Sequence, residues 1–290
     1  MYTCPLLPSA FLEENDTSFG SSLFYEKTDC IEWLNQQRKQ SVLYISFGSI
    51  FVPSPEELKT IAEGVKRSQK PFLWVLRPKS ATHTLAEILP NGFLEDTGEQ
   101  GLIVPWYPQV QVLSHPAVGA FLTHCGWNST LESISTGVPL IAYPIFSDQP
   151  LNAKFLCDFW NVGVLLRRDA YDTIESSDVD LKVRNALEDE GEILRKRCRE
   201  LREMARRAVQ AHGSARFHME EFIRSLCKSD SKCNEGMLSC IRSSMVKEAF
   251  GPQRSRKTEV PDTSWESPIS VCFPRSPLNS LAIKLHSCGL

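Results

Sequence analysis

Between Trp106 and Gln149 the chain reads WYPQVQVLSHPAVGAFLTHCGWNSTLESISTGVPLIAYPIFSDQ, and the groups able to bind a ligand recur along it. Trp106, on a turn between Pro105 and Tyr107-Pro108, offers a flat apolar face on which a heterocycle can stack, while backbone at Tyr107 can read the ring's edge. Gly126-Trp127-Asn128-Ser129 follows an apolar run and opens a helical one. Free backbone N–H groups and the positive end of a helix dipole then face outward, and Gly126 lets phosphate approach closely. His124, and Ser49 after an earlier apolar run, add donors. Glu132 lies four residues past Asn128, one turn along the same helix face, where a carboxylate can accept from two hydroxyls. Asp148 and Gln149 end the segment with one acceptor and one amide. A base, a diphosphate and sugar hydroxyls are the chemistry that this set suits.

Each of these residues has a more ordinary role when taken alone. A tryptophan is usually a core residue, Asn or Ser at a helix start is usually a cap, and a helix glutamate is usually solvated. A tryptophan on a Pro-Trp-Tyr-Pro turn is poorly placed for a core, and the ligand reading rests on the whole set occurring in one segment.

The elements that must position these groups alternate. Residues 42–47 form a short apolar run ending in Gly-Ser, residues 55–68 have helical spacing at Leu58, Ile61, Ala62 and Val65, and residues 72–76 are apolar again. Further strands are expected at 102–104, 118–123, 140–143 and 163–166, with helices opening near Gln109, Asn128, Gln149 and Ser176 and two closing helices at about 192–211 and 215–226. The alternation predicts an α/β fold with a parallel, doubly wound sheet. Ser49, Trp106, His124, Asn128, Asp148 and Gln149 then all lie beyond carboxyl ends of strands, the rim on which such sheets bind ligands.

The segment from Trp106 to Gln149, 44 residues counted inclusively, resembles the donor-binding box of the plant secondary-product UDP-glycosyltransferases at that box's full length. The resemblance continues through PLLPSAF, CIEWLNQQ, SVLYISFGS and PFLWVLRP to about Leu226, roughly three quarters of the chain. It implies the Rossmann-like C-terminal domain of a GT-B glycosyltransferase. By resemblance Trp106 and Tyr107 receive the uracil, and Ser49, His124, Gly126, Asn128 and Ser129 the phosphates. Gln109 and Glu132 hold the ribose, and Trp127, Asp148 and Gln149 line the sugar pocket. The family associates a terminal Gln with glucose. The implied reaction is inverting transfer of glucose from UDP-glucose to a hydroxyl of a small lipophilic acceptor such as a flavonoid or terpenoid, without a metal or a separate cofactor.

In that family the general base, a His oriented by an Asp, and the acceptor pocket lie in an N-terminal domain. The chain is therefore expected to carry the donor-binding half only, with no catalytic residue of its own and no activity alone. The expected division is a linker remnant over residues 1–30, a UDP-sugar donor-binding domain over 31–228, and a disordered or aberrant tail over 229–290. That tail holds 12 serines and 5 prolines in 62 residues and no sustained period. The alternative class is a non-catalytic UDP-sugar-binding module or a fragment of a gene model.

Composition excludes other classes. With 290 residues, 42% apolar and 23% charged, the chain is expected to be a soluble globular protein, and a net charge of −3 suggests no nucleic-acid partner. No run of eighteen apolar residues occurs and the first dozen lack a basic n-region, so neither a membrane span nor a signal peptide is expected, and the location is taken as cytoplasmic. Ten cysteines scattered without C-x-x-C pairs suggest reduced thiols and no zinc. Asp178-Val179-Asp180 has a metal-binding D-x-D spacing but stands at a helix start, where capping carboxylates are expected. His115 reads as a turn residue, and His83, His212, His218 and His286 lack catalytic partners. Without GxGxxG, GxxxxGK[ST] or GxSxG, an NAD-binding domain, a P-loop and a hydrolase are disfavoured.

Overall fold

The computed structural model describes residues 30–49, 53–76, 85–210 and 212–228. The expected linker remnant, the expected tail, His83 and His286 lie outside the described residues. Six strands form one sheet: β1 (Val42–Ser46), β2 (Phe72–Val75), β3 (Gly101–Val104), β4 (Val118–Thr123), β5 (Leu140–Ala142) and β6 (Gly163–Leu165). The helices are α1 (Cys30–Asn35), α2 (Pro55–Ser68), α3 (Leu85–Ile88), α4 (Phe93–Asp96), α5 (Gln109–Leu113), α6 (Trp127–Thr136), α7 (Gln149–Lys154), α8 (Ser176–Leu187), α9 (Asp189–Val209) and α10 (Ser214–Lys228). A π-helical turn, Phe155–Phe159, continues α7.

The strand order is β3-β2-β1-β4-β5-β6, with every neighbouring pair parallel. The chain builds outward from β1 to β3, returns to lay β4 against the other side of β1, and builds outward the opposite way. Where the direction reverses, between β1 and β4, the loops at the carboxyl ends diverge and leave a crevice.

Strands in such a sheet are covered on both faces, so they are apolar throughout rather than alternating. All five residues of β1 and all six of β4 are buried. Leu43, Ile45, Phe72, Trp74, Leu122 and Ile141 face α2 and α8, while Val42, Tyr44, Leu73, Phe121, Leu140 and Ala142 face α1, α5, α6, α7 and α9. Burying one such aliphatic side chain contributes about 1.5 to 3 kcal/mol. The α2 start is set by Ser54-Pro55-Glu56-Glu57. Ser54 Oγ accepts from the Glu57 N–H, Glu57 Oε2 accepts from the Ser54 N–H, and Pro55 supplies a first-turn φ.

Most expected elements are present, with boundaries shifted by a few residues: α9 begins at Asp189 and α10 at Ser214. The short helices α1, α3 and α4 and the π-helical turn were not expected. These helices of four to six residues span little more than one turn, too short for a repeat to show, and tertiary contacts form them. In α1, Cys30 and Leu34 are fully buried under the sheet.

Candidate functional site

The crevice between β1 and β4 is built around one histidine. Past β1, Gly48 turns the chain at φ +78°, and past β4, His124-Cys125-Gly126 leads into α6. The imidazole of His124 lies against both turns: a Cβ on Gly48 would stand 2.8 Å from Cε1, and one on Gly126 would stand 2.4 Å from Nε2. Any side chain at Gly126 would push the ring away, so the room this glycine leaves is taken first by His124. Between them Cys125 adopts φ +60°, strained for a residue with a Cβ. Asn152 Nδ2 donates to the Cys125 carbonyl at 3.0 Å and helps to hold that turn.

Burial lowers the His124 pKa below the usual histidine range, against the opposing pull of Asp148 and of the Ser46 backbone. The ring is therefore neutral at pH 7 and carries one N–H donor. Its Nδ1 is buried, with no hydrogen-bond partner of normal geometry among the described residues. Next to it α6 begins at the N-cap Gly126 without any side-chain cap, and its first backbone bond runs from the Thr130 N–H to the Gly126 carbonyl at 2.9 Å. The N–H groups of the first turn thus face the crevice mouth with the positive dipole end. Asn128 and Ser49 are exposed at this mouth, and Trp127 is 39% exposed.

One turn into α6, Glu132 is part of a hydrogen-bonded chain. Gln109, at the start of α5, donates through Nε2 to Glu132 Oε2 at 2.6 Å and to Ser129 Oγ at 2.9 Å. Its Oε1 accepts from the Tyr44 hydroxyl of β1 at 3.4 Å. Burial raises the Glu132 pKa, and the Gln109 bond opposes that rise. Ser129 is 6% exposed, and its hydroxyl accepts from Gln109 while keeping its own proton to donate, whereas Asn128 stands at the open mouth.

The other end of the segment is arranged differently. Asp148 is exposed, and its Oδ2 accepts from Asn152 Nδ2 at 2.8 Å, one turn along α7. Gln149 is 5% exposed, and its Oε1 accepts the N–H groups of Ile145 at 3.0 Å and Phe146 at 3.1 Å. That side chain closes the loop leaving β5 and keeps only its amide N–H pair for anything else.

Past β3, Trp106 is half-buried and belongs to none of the apolar clusters among the described residues, whereas Tyr107 packs its side chain against the α5 and α6 face of the sheet. An indole at the edge of the core is a flat apolar surface suited to stacking.

Two residues of this arrangement were not singled out from the sequence. Tyr44 stands out only as the one phenol in the run VLYIS, and Asn152 only as the residue one turn after Asp148. Elsewhere the capping expectation for Asp178 and Asp180 is corrected. Glu175 is the N-cap of α8, Asp178 Oδ2 accepts from the Arg167 N–H at 2.8 Å, and Asp180 is buried and pairs with Arg184 at 2.8 Å. Both carboxylates point to partners outside the free N–H groups of their helix. His115 sits just past α5 as a turn residue, with Nε2 3.0 Å from Asn35 Oδ1 and Nδ1 accepting from the Ala117 N–H. Cys30, Cys125, Cys157 and Cys198 are free thiols. Among the described residues no three metal-ligating side chains converge, and no helix is long and apolar enough to cross a membrane.

Comparisons with known proteins agree in direction. The sequence model described as UDP-glucoronosyl and UDP-glucosyl transferase matches residues 26–197. UDP-glycosyltransferase 74E2 of Arabidopsis thaliana is 41% identical over 228 residues, 77% of this chain and 49% of its own length. The chloroplastic crocetin glucosyltransferase of Gardenia jasminoides is 40% identical over 229 residues, 77% of this chain and 48% of its own. Among solved structures, Os79 from O. sativa in complex with UDP superposes with a TM-score of 0.67 at 34% identity, covering 74% of this chain and 48% of that one. Phytolacca americana UGT2 complexed with UDP-2fluoro-glucose and pterostilbene gives 0.61 at 38% identity, covering 68% and 44%. The chain spans about half the length of the curated relatives it matches.

Proposed function

The chain belongs to the UDP-glucoronosyl and UDP-glucosyl transferase family, and on that premise we propose that residues 31–228 bind the UDP-glucose donor for transfer to a hydroxyl of a small lipophilic acceptor. The observation that carries this reading is the crevice itself. A neutral histidine wedged between two glycines, an uncapped helix start and a half-buried carboxylate one turn further on follow the order of a diphosphate and its ribose. Uracil would lie on Trp106, the phosphates at Ser49, His124, Asn128 and Ser129, the ribose at Glu132, and the sugar near Trp127, Asp148 and Gln149.

Transfer with inversion requires the acceptor oxygen to attack the anomeric carbon as the bond from that carbon to UDP breaks. The first turn of α6 and the His124 N–H are placed to stabilise charge on the departing diphosphate, and no metal is needed in this scheme. Removal of the acceptor proton needs a general base. Among the described histidines His115 bonds Asn35, His124 belongs to the diphosphate seat, and His212 and His218 are exposed around the start of α10. On this reading the chain alone binds donor without turnover.

Titration calorimetry on the full chain tests the assignment. Trp106→Ala and Glu132→Ala should each weaken UDP binding by about 1 to 3 kcal/mol, the usual cost of losing a base stack or a charge-assisted hydrogen bond. Undiminished binding in both variants would remove the assignment of the site.

A further inference from the structure

We propose that Asn152 is a positioning residue that ties the diphosphate seat to the sugar pocket: its side-chain amide holds the Cys125 carbonyl at the turn into α6 and the Asp148 carboxylate at the start of α7. The proposal rests on the donor reading above. Strands β4 and β5 are neighbours, so the turn past β4 and the loop past β5 leave the rim side by side. Asn152, in α7 and 8% exposed, reaches both. Its Nδ2 donates to the Cys125 carbonyl at 3.0 Å, across 27 residues of chain, and to Asp148 Oδ2 at 2.8 Å, one helical turn back. Both lengths are those of well-made hydrogen bonds, the second to a charged acceptor.

The amide has two N–H donors, and these two acceptors take both. An inverted amide would set its oxygen against a carbonyl and a carboxylate, so only one orientation serves. Each bond fixes a different part of the site. The Cys125 carbonyl belongs to the peptide group whose N–H is that of Gly126, and a planar trans peptide directs its N–H opposite its C=O. A carbonyl drawn toward the buried amide therefore turns the Gly126 N–H the other way, away from the protein interior. The Cys125 backbone at φ +60° is strained, and a bond from another element helps to keep it from relaxing. On the other side, Asp148 begins α7 without using its carboxylate as a cap. Asn152 takes Oδ2, which leaves Oδ1 of an exposed carboxylate as the acceptor for a sugar hydroxyl. One buried side chain thus holds a phosphate donor and a sugar acceptor at a fixed spacing.

The test compares uridine, UDP and UDP-glucose by calorimetry on the full chain, for wild type, Asn152→Ala, Asp148→Ala and the double variant. Asn152→Ala should weaken UDP about tenfold, while uridine, which lacks the diphosphate, changes by less than about twofold. The affinity ratio of UDP-glucose to UDP should also fall about threefold, the same fall that Asp148→Ala causes alone. In the double variant that ratio should fall no further, because the carboxylate that Asn152 holds is already gone. An Asn152→Ala protein that binds uridine and UDP equally more weakly assigns Asn152 to the fold alone. One that keeps both the UDP-to-uridine and the UDP-glucose-to-UDP ratios uncouples it from the site, and one that loses a single ratio leaves no tie between the two ends; each of these results overturns the proposal. If wild type binds UDP no better than uridine, the diphosphate seat itself fails first and the proposal falls with it. Should Asn152→Ala not fold, Asn152→Ser, whose single hydroxyl proton can serve only one of the two acceptors, must lower at least one ratio; retention of both overturns the proposal.

Discussion

The two ends of the binding segment use the same residue types for opposite purposes. At α6, Gln109 and Glu132 converge from separate elements, and a glutamine amide orients a carboxylate inside a half-buried network. At α7, Asp148 and Gln149 are neighbours whose side chains tie down their own loop: the glutamine oxygen caps Ile145 and Phe146, and the carboxylate is held by Asn152. The first end is preorganised toward a ligand before it arrives, and preorganised donors and acceptors carry the binding energy. At the second, Asp148 is exposed, and buried Gln149 is partly committed to shaping a turn. On the proposed reading the first end, as the nucleotide seat, sets affinity, and the second, as the sugar pocket, adds a smaller preference.

The largest expected effect comes from breaking the first end at its backbone. In Gly126→Ala the new methyl would meet His124 Nε2 at 2.4 Å. Either the ring leaves its seat or the α6 start shifts, and overpacking of this kind costs about 1 to 3 kcal/mol. UDP affinity should fall about a hundredfold or more, since the seat and its histidine are lost together. An unchanged dissociation constant would mean that the ring does not occupy that space when UDP binds.

That glycine marks where the sequence stops being legible. The strands were plain because burial on both faces makes VLYIS and FLWV continuously apolar, and a strand followed by a helix fixes which end of each strand faces the rim. That Ser49, His124 and Asn128 stand beyond carboxyl ends of strands followed from the strand-helix alternation. What the sequence could not display was direction. Whether Gly126 faces a ligand or the His124 ring, and whether Gln149 points outward or back into its loop, depends on contacts between elements distant in the chain. The contact between the Tyr44 hydroxyl and Gln109 spans 65 residues and has no local periodic signal.

A smaller effect sharpens the second end. Gln149→Ala leaves the Ile145 and Phe146 N–H groups without their acceptor, so the protein should lose about 1 to 3 kcal/mol of stability in a denaturant titration. Asp148→Ala should leave stability within about 0.5 kcal/mol, because the side chain is exposed. Both variants should bind UDP nearly as wild type does and differ only in the preference for UDP-glucose over UDP, by several fold in calorimetry. Loss of UDP binding itself in Asp148→Ala would erase the contrast between the ends and make the α7 loop part of the nucleotide seat.

The smallest expected effect is a pH dependence that reports on His124 from inside the first end. Its folded pKa lies below the unfolded value near about 6.5, with burial as the cause. As pH falls through that window the unfolded chain takes up a proton before the folded one does, so stability is present above it and declines below. His115, also lowered by burial, contributes in the same sense. The comparison that isolates His124 is therefore wild type against His124→Gln, by denaturant unfolding at pH 7.5 and 5.5, with His115 intact in both. Wild type should lose more stability between the two values than the variant. Saturating UDP should shrink the wild-type loss, because a diphosphate beside the ring favours the imidazolium and lifts its pKa back. Equal losses in wild type and His124→Gln would show that the ring is solvated in solution and that the seat between the two glycines is open.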